Sequence, residues 1–163
     1  MLVGVVSDTH NNLKNINLII SLFNERRVDL VIHTGDITNA NSLKKFSELN
    51  CNLVGVFGNN DRNEPGLEEA AEESGFEFHP PPLKISKLNR NIAIFHEPEL
   101  INKYLLDNKD IDIVLHGHTH RYREETLDRT ILFNPGESAG IIKGKNAIGI
   151  INLKDLSLER IFF

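Results

Sequence analysis

Leu2-Val3-Gly4-Val5-Val6 is an unbroken apolar run of strand length, the pattern of a strand buried on both faces in a parallel sheet. It stops at Ser7-Asp8-Thr9-His10. Beyond the potential caps Asn11 and Asn12, Leu13, Ile16, Ile20 and Phe23 recur at helical spacing to about Asn24. The alternation repeats. Leu30-Val31-Ile32-His33 runs into Thr34-Gly35-Asp36, and Asn41 is placed to cap a second helix carrying Leu43, Phe46 and Leu49. Leu53 to Phe57 then exits through Gly58-Asn59-Asn60-Asp61. Pro65 suits the first turn of a third helix, with Leu67, Ala70 and Ala71 inward and Gly75 at its end. Three strand-helix units in succession predict a parallel sheet.

From residue 76 the pattern changes. Leu83 to Leu88 and Asn91 to Phe95 flank a tight Asn89-Arg90 region, which predicts an antiparallel pair ending at His96. Pro98 opens a short fourth helix with Leu100, Ile101, Tyr104 and Leu105, and the strand Ile111 to His116 leads into Gly117-His118-Thr119-His120. Strands follow at Tyr122 to Leu127, Thr130 to Phe133, Ala147 to Leu153 and Ser157 to Phe163. This half is expected to be mostly antiparallel. A parallel half followed by hairpins predicts an α/β chain with two sheets face to face and helices outside. Pro80-Pro81-Pro82 reads as a stiff connection, so residues 1–163 are expected to form a single domain, long enough for one core without disulfides.

Composition narrows the function. The formal charge is −5, with Lys and Arg scattered, so no extended nucleic-acid surface is expected. Glu68, Glu69, Glu72 and Glu73 read as a solvated helix face. No apolar run approaches a membrane span, and the first residues lack the form of a signal peptide, so a cytoplasmic protein without membrane contact is expected. Cys51, the one cysteine, reads as a small apolar filler.

The chemistry lies at the strand ends. His118 and His120 alone are a short motif of low specificity. Asp8, His10, Asp36, Asn59 and His96, however, also lie just past predicted strands, and the carboxyl ends of parallel strands share one edge, where ligands bind. Four imidazoles, two carboxylates and one amide carbonyl, without thiolate, suit Mn, Fe, Co, Ni or Zn. Seven donors exceed one tetrahedral ion and suit two divalent ions sharing a carboxylate, able to activate bridging water and attract a phosphate oxyanion.

Asp8-Thr9-His10, Gly35-Asp36, Gly58-Asn59-Asn60-Asp61, His96 and Gly117-His118-Thr119-His120, in that order, resemble the calcineurin-like metallophosphoesterase family. Asn134-Pro135-Gly136 resembles a loop of its small single-domain bacterial and archaeal phosphodiesterases. The resemblance implies a four-layer α/β/β/α sandwich of two mixed sheets with outer helices. It implies that Asp8, His10, Asp36 and His120 hold one metal, that Asn59, His96 and His118 hold the other, and that Asp36 bridges. Asn60 and Asp36 are the catalytic candidates, and manganese is the first choice of metal. Asn60 stands where many relatives have histidine; it can donate a hydrogen bond to phosphate but cannot act as a general acid. Glu97, where relatives often have glycine, either narrows the pocket, repels an anionic substrate or faces away. His33 and His116 fill no family ligand position and read as packing residues or outer partners of ligands.

The expected activity is therefore hydrolysis of a small phosphate ester, foremost a phosphodiester, by a metal-bridging hydroxide. A phosphomonoesterase or nucleotide hydrolase is the nearest alternative. A protein-binding scaffold on the same fold, as in the retromer scaffold subunit, is a further one. Physiological substrate, physiological metal and oligomeric state, a homo-oligomer included, are left open by the sequence.

Overall fold

The structure, a computed structural model, describes residues 1–163. Its strands are β1 (Leu2–Val6), β2 (Leu30–His33), β3 (Asn52–Val56), β4 (Glu77–His79), β5 (Leu83–Lys87), β6 (Arg90–Ile94), β7 (Ile113–Leu115), β8 (Arg123–Leu127), β9 (Thr130–Asn134), β10 (Ala147–Asn152) and β11 (Ser157–Phe162). Its helices are α1 (Leu13–Arg26), α2 (Ala40–Lys45), α3 (Leu67–Glu73) and α4 (Ile101–Asp107). One sheet runs β11-β10-β1-β2-β3-β4 and the other β5-β6-β7-β9-β8. Both are mixed. β1 to β4 are parallel, with β10 and β11 added antiparallel at the β1 edge.

The period-two alternation of each strand creates the layers. Val3, Val5, Leu30, Ile32, Val54 and Val56 of the first sheet meet Ile92, Ile94, Ile113, Leu115 and Phe133 of the second. Val6, Val31 and Leu53 face the opposite way, onto Ile16, Ile20 and Phe23 of α1, Leu43 of α2 and Leu67 of α3. Ala93, Val114 and Leu132 turn outward from the second sheet onto Ile101 and Leu105 of α4. The order is thus helices, sheet, sheet, helix. No helix is long and apolar enough to cross a membrane.

Three expectations are refined. The second half is mostly antiparallel, through the β5–β6, β8–β9, β10–β11 and β1–β10 pairs, but it also contains a parallel run of β6, β7 and β9. α4 returns the chain between β6 and β7, and the β8–β9 hairpin turns it back again, so three strands of this sheet deliver their ends to one edge. The second helix is capped by Asn39, whose side chain accepts from the Ser42 amide, not by Asn41, and it tightens into a short 3-10 turn over Phe46–Glu48. β4 is a further strand: three residues, exposed or half-buried, before Pro80-Pro81-Pro82 carries the chain from one sheet to the other. Asn12 caps α1 as expected, accepting from the Asn15 amide.

Candidate metal centre

The segments after β1, β2, β3, β6 and β7 meet at one edge and bring all seven sequence-predicted donors together. Asp8 is fully buried and Asp36 nearly so. His120 Nε2 lies 3.4 Å from Asp8 Oδ1 and 3.3 Å from His10 Nε2. Asp36 sits between two groups: its Oδ2 is 3.6 Å from His10 Nε2 and its Oδ1 is 3.4 Å from His96 Nε2. Asn59 Oδ1 faces His96 Nε2 and His118 Nδ1, each at 2.9 Å. Ligand atoms of Asp8, His10 and His120 lie within 4.8 Å of one another, as do those of Asp8, Asp36 and His96.

The backbone is bent to achieve this. Asp8, His10, Asp36, His118 and His120 all have positive φ, between 39° and 67°. Each such residue lacks glycine's freedom and costs on the order of 1 kcal/mol, and such strain clusters at functional sites. Close packing of the loops adds to the constraint: a Cβ at Gly58 would strike the Asp36 carboxylate, and one at Gly117 would strike Ser7 Oγ.

Residues outside the seven hold these loops. Asp61, 4% exposed, accepts from four backbone amides: Asp36 N at 2.8 Å, Ile37 N at 2.9 Å, Thr38 N at 2.8 Å and Gly58 N at 2.7 Å. It joins the β2 and β3 exits; its only local signal in the sequence is an aspartate three residues after Gly58, a turn-former's position. Asn134 donates to Gly117 O at 3.1 Å and steadies the His118-His120 loop. The fully buried Glu137 accepts from Gly140 N and Ile142 N, ordering the following loop. Asn60 donates twice to Asp36, from its backbone N to Oδ1 at 3.0 Å and from Nδ2 to Oδ2 at 2.7 Å. Glu97 does not stand free: it pairs with Arg62.

The electrostatics fit a cation. Burial opposes ionisation of Asp8, yet hydrogen bonds from His120 and Ser7 and the charge of His96 hold its carboxyl below the ordinary value. The hydrogen bond to Asp8 correspondingly raises His120, against the effect of burial. Neither Asp8 nor Asp36 is paired with a lysine or arginine. Buried carboxylates, convergent imidazole nitrogens and an amide oxygen form the hard-to-borderline donor set of divalent transition metals.

His33 and His116 take no place among the seven donors. Gly35 N–H donates to His33 Nδ1 at 3.1 Å, which leaves Nε2–H to donate to Thr9 Oγ1, also at 3.1 Å. Burial pushes His33 down to about 3 and His116 down to about 4. For His33 the sign follows directly: between about 3 and the ordinary 6.5 only the unfolded chain takes up the proton. Stability from neutral His33 is complete above 6.5 and is lost as pH falls through that window. His33→Gln should flatten the acid limb of stability by up to roughly 1 kcal/mol per pH unit, read from urea melts of wild type and variant at matched pH. Parallel acid limbs would show that His33 titrates normally.

Over residues 1–155 the chain matches the calcineurin-like phosphoesterase superfamily domain. It is 33% identical over 157 residues to a phosphodiesterase of Methanocaldococcus jannaschii, an alignment spanning 93% of each chain. A probable metallophosphoesterase of the same organism is 30% identical over 137 residues, 83% of this chain and 67% of that one. Among solved structures, an archaeal phosphodiesterase superposes with a TM-score of 0.90 at 30% identity over all of both chains. Vps29 of Entamoeba histolytica, solved with zinc, reaches 0.71 at 18% identity over 99% of each chain, a likeness of fold.

Proposed function

Because the chain belongs to the calcineurin-like phosphoesterase superfamily, we propose that it is a phosphodiesterase dependent on two divalent transition-metal ions, manganese foremost. The observation that carries the reading is Asp36, a buried carboxylate with one oxygen toward His10 and the other toward His96. Asp8, His10, Asp36 and His120 would hold one ion and Asn59, His96 and His118 the second, with Asp36 contributing to both. Bound there, divalent ions would supply Lewis acidity toward a phosphoryl oxygen and make hydroxide available near neutral pH. The reading includes one catalytic domain over residues 1–163, a cytoplasmic setting and a small phosphate ester as substrate.

The remaining work falls to the chain's own groups. Asn60 has two amide protons, and one is engaged on Asp36 Oδ2. The other is free to donate to a phosphoryl oxygen, so Asn60 positions the ester and the shared carboxylate together. Asp61 fixes the amides that aim Asp36 and Asn59 and touches no substrate. Asn60 carries no transferable proton near neutral pH, so departure of the alcohol depends on its own acidity. Aryl esters, whose leaving groups need no proton, are the favoured test substrates.

Two consequences are measurable. In a panel of phosphodiesters, monoesters and nucleotides assayed with Mn, Ni, Co, Zn and Mg, the aryl phosphodiester should give the highest kcat/KM; a monoester or nucleotide in first place would replace the reading with a monoesterase or nucleotide hydrolase. Asn60→His should raise kcat/KM on alkyl relative to aryl diesters by about tenfold or more, the scale of one general-acid contribution in part. An unchanged dependence on leaving-group pKa would show that protonation does not limit the reaction.

A further inference from the structure

The loops carrying Asn60 and His96 are joined by an ion pair beyond the ring of seven donors. Arg62 Nη2 lies 2.6 Å from Glu97 Oε2. Each partner is anchored by the site. Arg62 follows Asp61, whose carboxylate is pinned by four amides, and Glu97 follows His96, which is fully buried with Nδ1 2.8 Å from Thr34 O. The side chains nevertheless reach solvent, that of Arg62 being 56% exposed and that of Glu97 35%.

A pair this exposed contributes at most about 1 kcal/mol, so it is readily exchanged. A phosphate offers a guanidinium the same two-point geometry as a carboxylate with more negative charge. Glu97 without Arg62 would be a bare anion beside a site for anionic esters. Paired, it is neutralised, and it holds a cation that still reaches solvent.

We propose that Arg62 is a specificity-determining residue that turns from Glu97 to a second phosphate on the substrate, and that preferred esters carry an anionic phosphate beyond the scissile one. The inference rests on the phosphodiesterase reading above. Glu97 is the dock that holds Arg62 in the free protein and competes with the substrate for it. Fork geometry makes arginine the suitable residue, since lysine presents charge without the two-point match.

The test compares the p-nitrophenyl ester of thymidine monophosphate with the same ester carrying a further phosphate on its other sugar hydroxyl. Wild type should prefer the second compound in kcat/KM, chiefly through KM. Arg62→Ala should reduce that preference by about ten- to a hundredfold, the scale of one charged hydrogen-bonded contact. Arg62→Lys should restore part of it, and Glu97→Gln should increase it by releasing the guanidinium. An unchanged ratio in Arg62→Ala, or an equal loss on both esters, would overturn the proposal. Calorimetric binding of thymidine bisphosphate against thymidine monophosphate makes the same comparison without turnover. Equal affinities in wild type would refute the role of Arg62 by themselves. An Arg62-dependent affinity difference without hydrolysis of either ester would uphold that role and count against the phosphodiesterase reading.

Discussion

Asp36→Asn is expected to lower kcat/KM for an aryl phosphodiester by about a thousandfold or more, roughly 4 kcal/mol of lost transition-state stabilisation. The side chain keeps its shape, so the fold should persist. What changes is the sign of one donor-acceptor contact and the charge shared by two donor groups. Asp36 Oδ2 now accepts from Asn60 Nδ2 and faces His10 Nε2 at 3.6 Å, while Oδ1 accepts from Asn60 N and faces His96 Nε2 at 3.4 Å. An amide nitrogen at either position would oppose a neighbouring donor and withdraw a lone pair. Metal content should fall with activity, measured on protein whose circular dichroism matches wild type. Full activity with a complete complement of metal would remove Asp36 from the centre of the account.

Asp61→Ala carries the largest expected effect on stability. Its carboxylate is buried and receives four backbone N–H groups, three from Asp36, Ile37 and Thr38 in the segment after β2 and one from Gly58 after β3. Each amide left without an acceptor costs about 1–3 kcal/mol, less where water enters the vacated space. A loss of about 3–5 kcal/mol is therefore expected, read as a lower urea midpoint at unchanged slope in metal-free protein. Asp61→Asn should be no milder, because its carbonyl oxygen satisfies two of the four amides while its NH2 group opposes the other two. Working without metal separates this structural role from any effect on metal affinity. A midpoint within experimental error of wild type would mean that the two loops are held by something other than Asp61.

Much of the site was legible because each strand exit delivers a chemically distinctive residue directly after an apolar run. Asp8 after Val6, Asp36 after His33 and His118 after Leu115 need only the rule that parallel strands share a carboxyl edge. For His96 and His118 the same rule holds because β6 and β7 of the second sheet also run parallel. The turn between β5 and β6 is a local signal, whereas the parallel pairing of β6, β7 and β9 depends on where α4 and the β8–β9 hairpin pack, which is tertiary information. β4 is hard to read because Glu77-Phe78-His79 alternates over only three residues, too short a run to mark a strand. Asp61 and Glu137 were opaque for a related reason: buried carboxylates that serve backbone amides look, in a sequence, like ordinary loop acids. The Arg62–Glu97 contact spans 35 positions, and nothing local announces it.

The most direct measurement is hydrolysis of bis(p-nitrophenyl) phosphate by metal-stripped protein titrated with manganese, with bound metal counted at each point. Two shared-carboxylate positions predict negligible turnover in the stripped protein and little with one ion per chain, then a steep rise as the second position fills. Full activity at one ion per chain, or turnover that persists without metal, would contradict it.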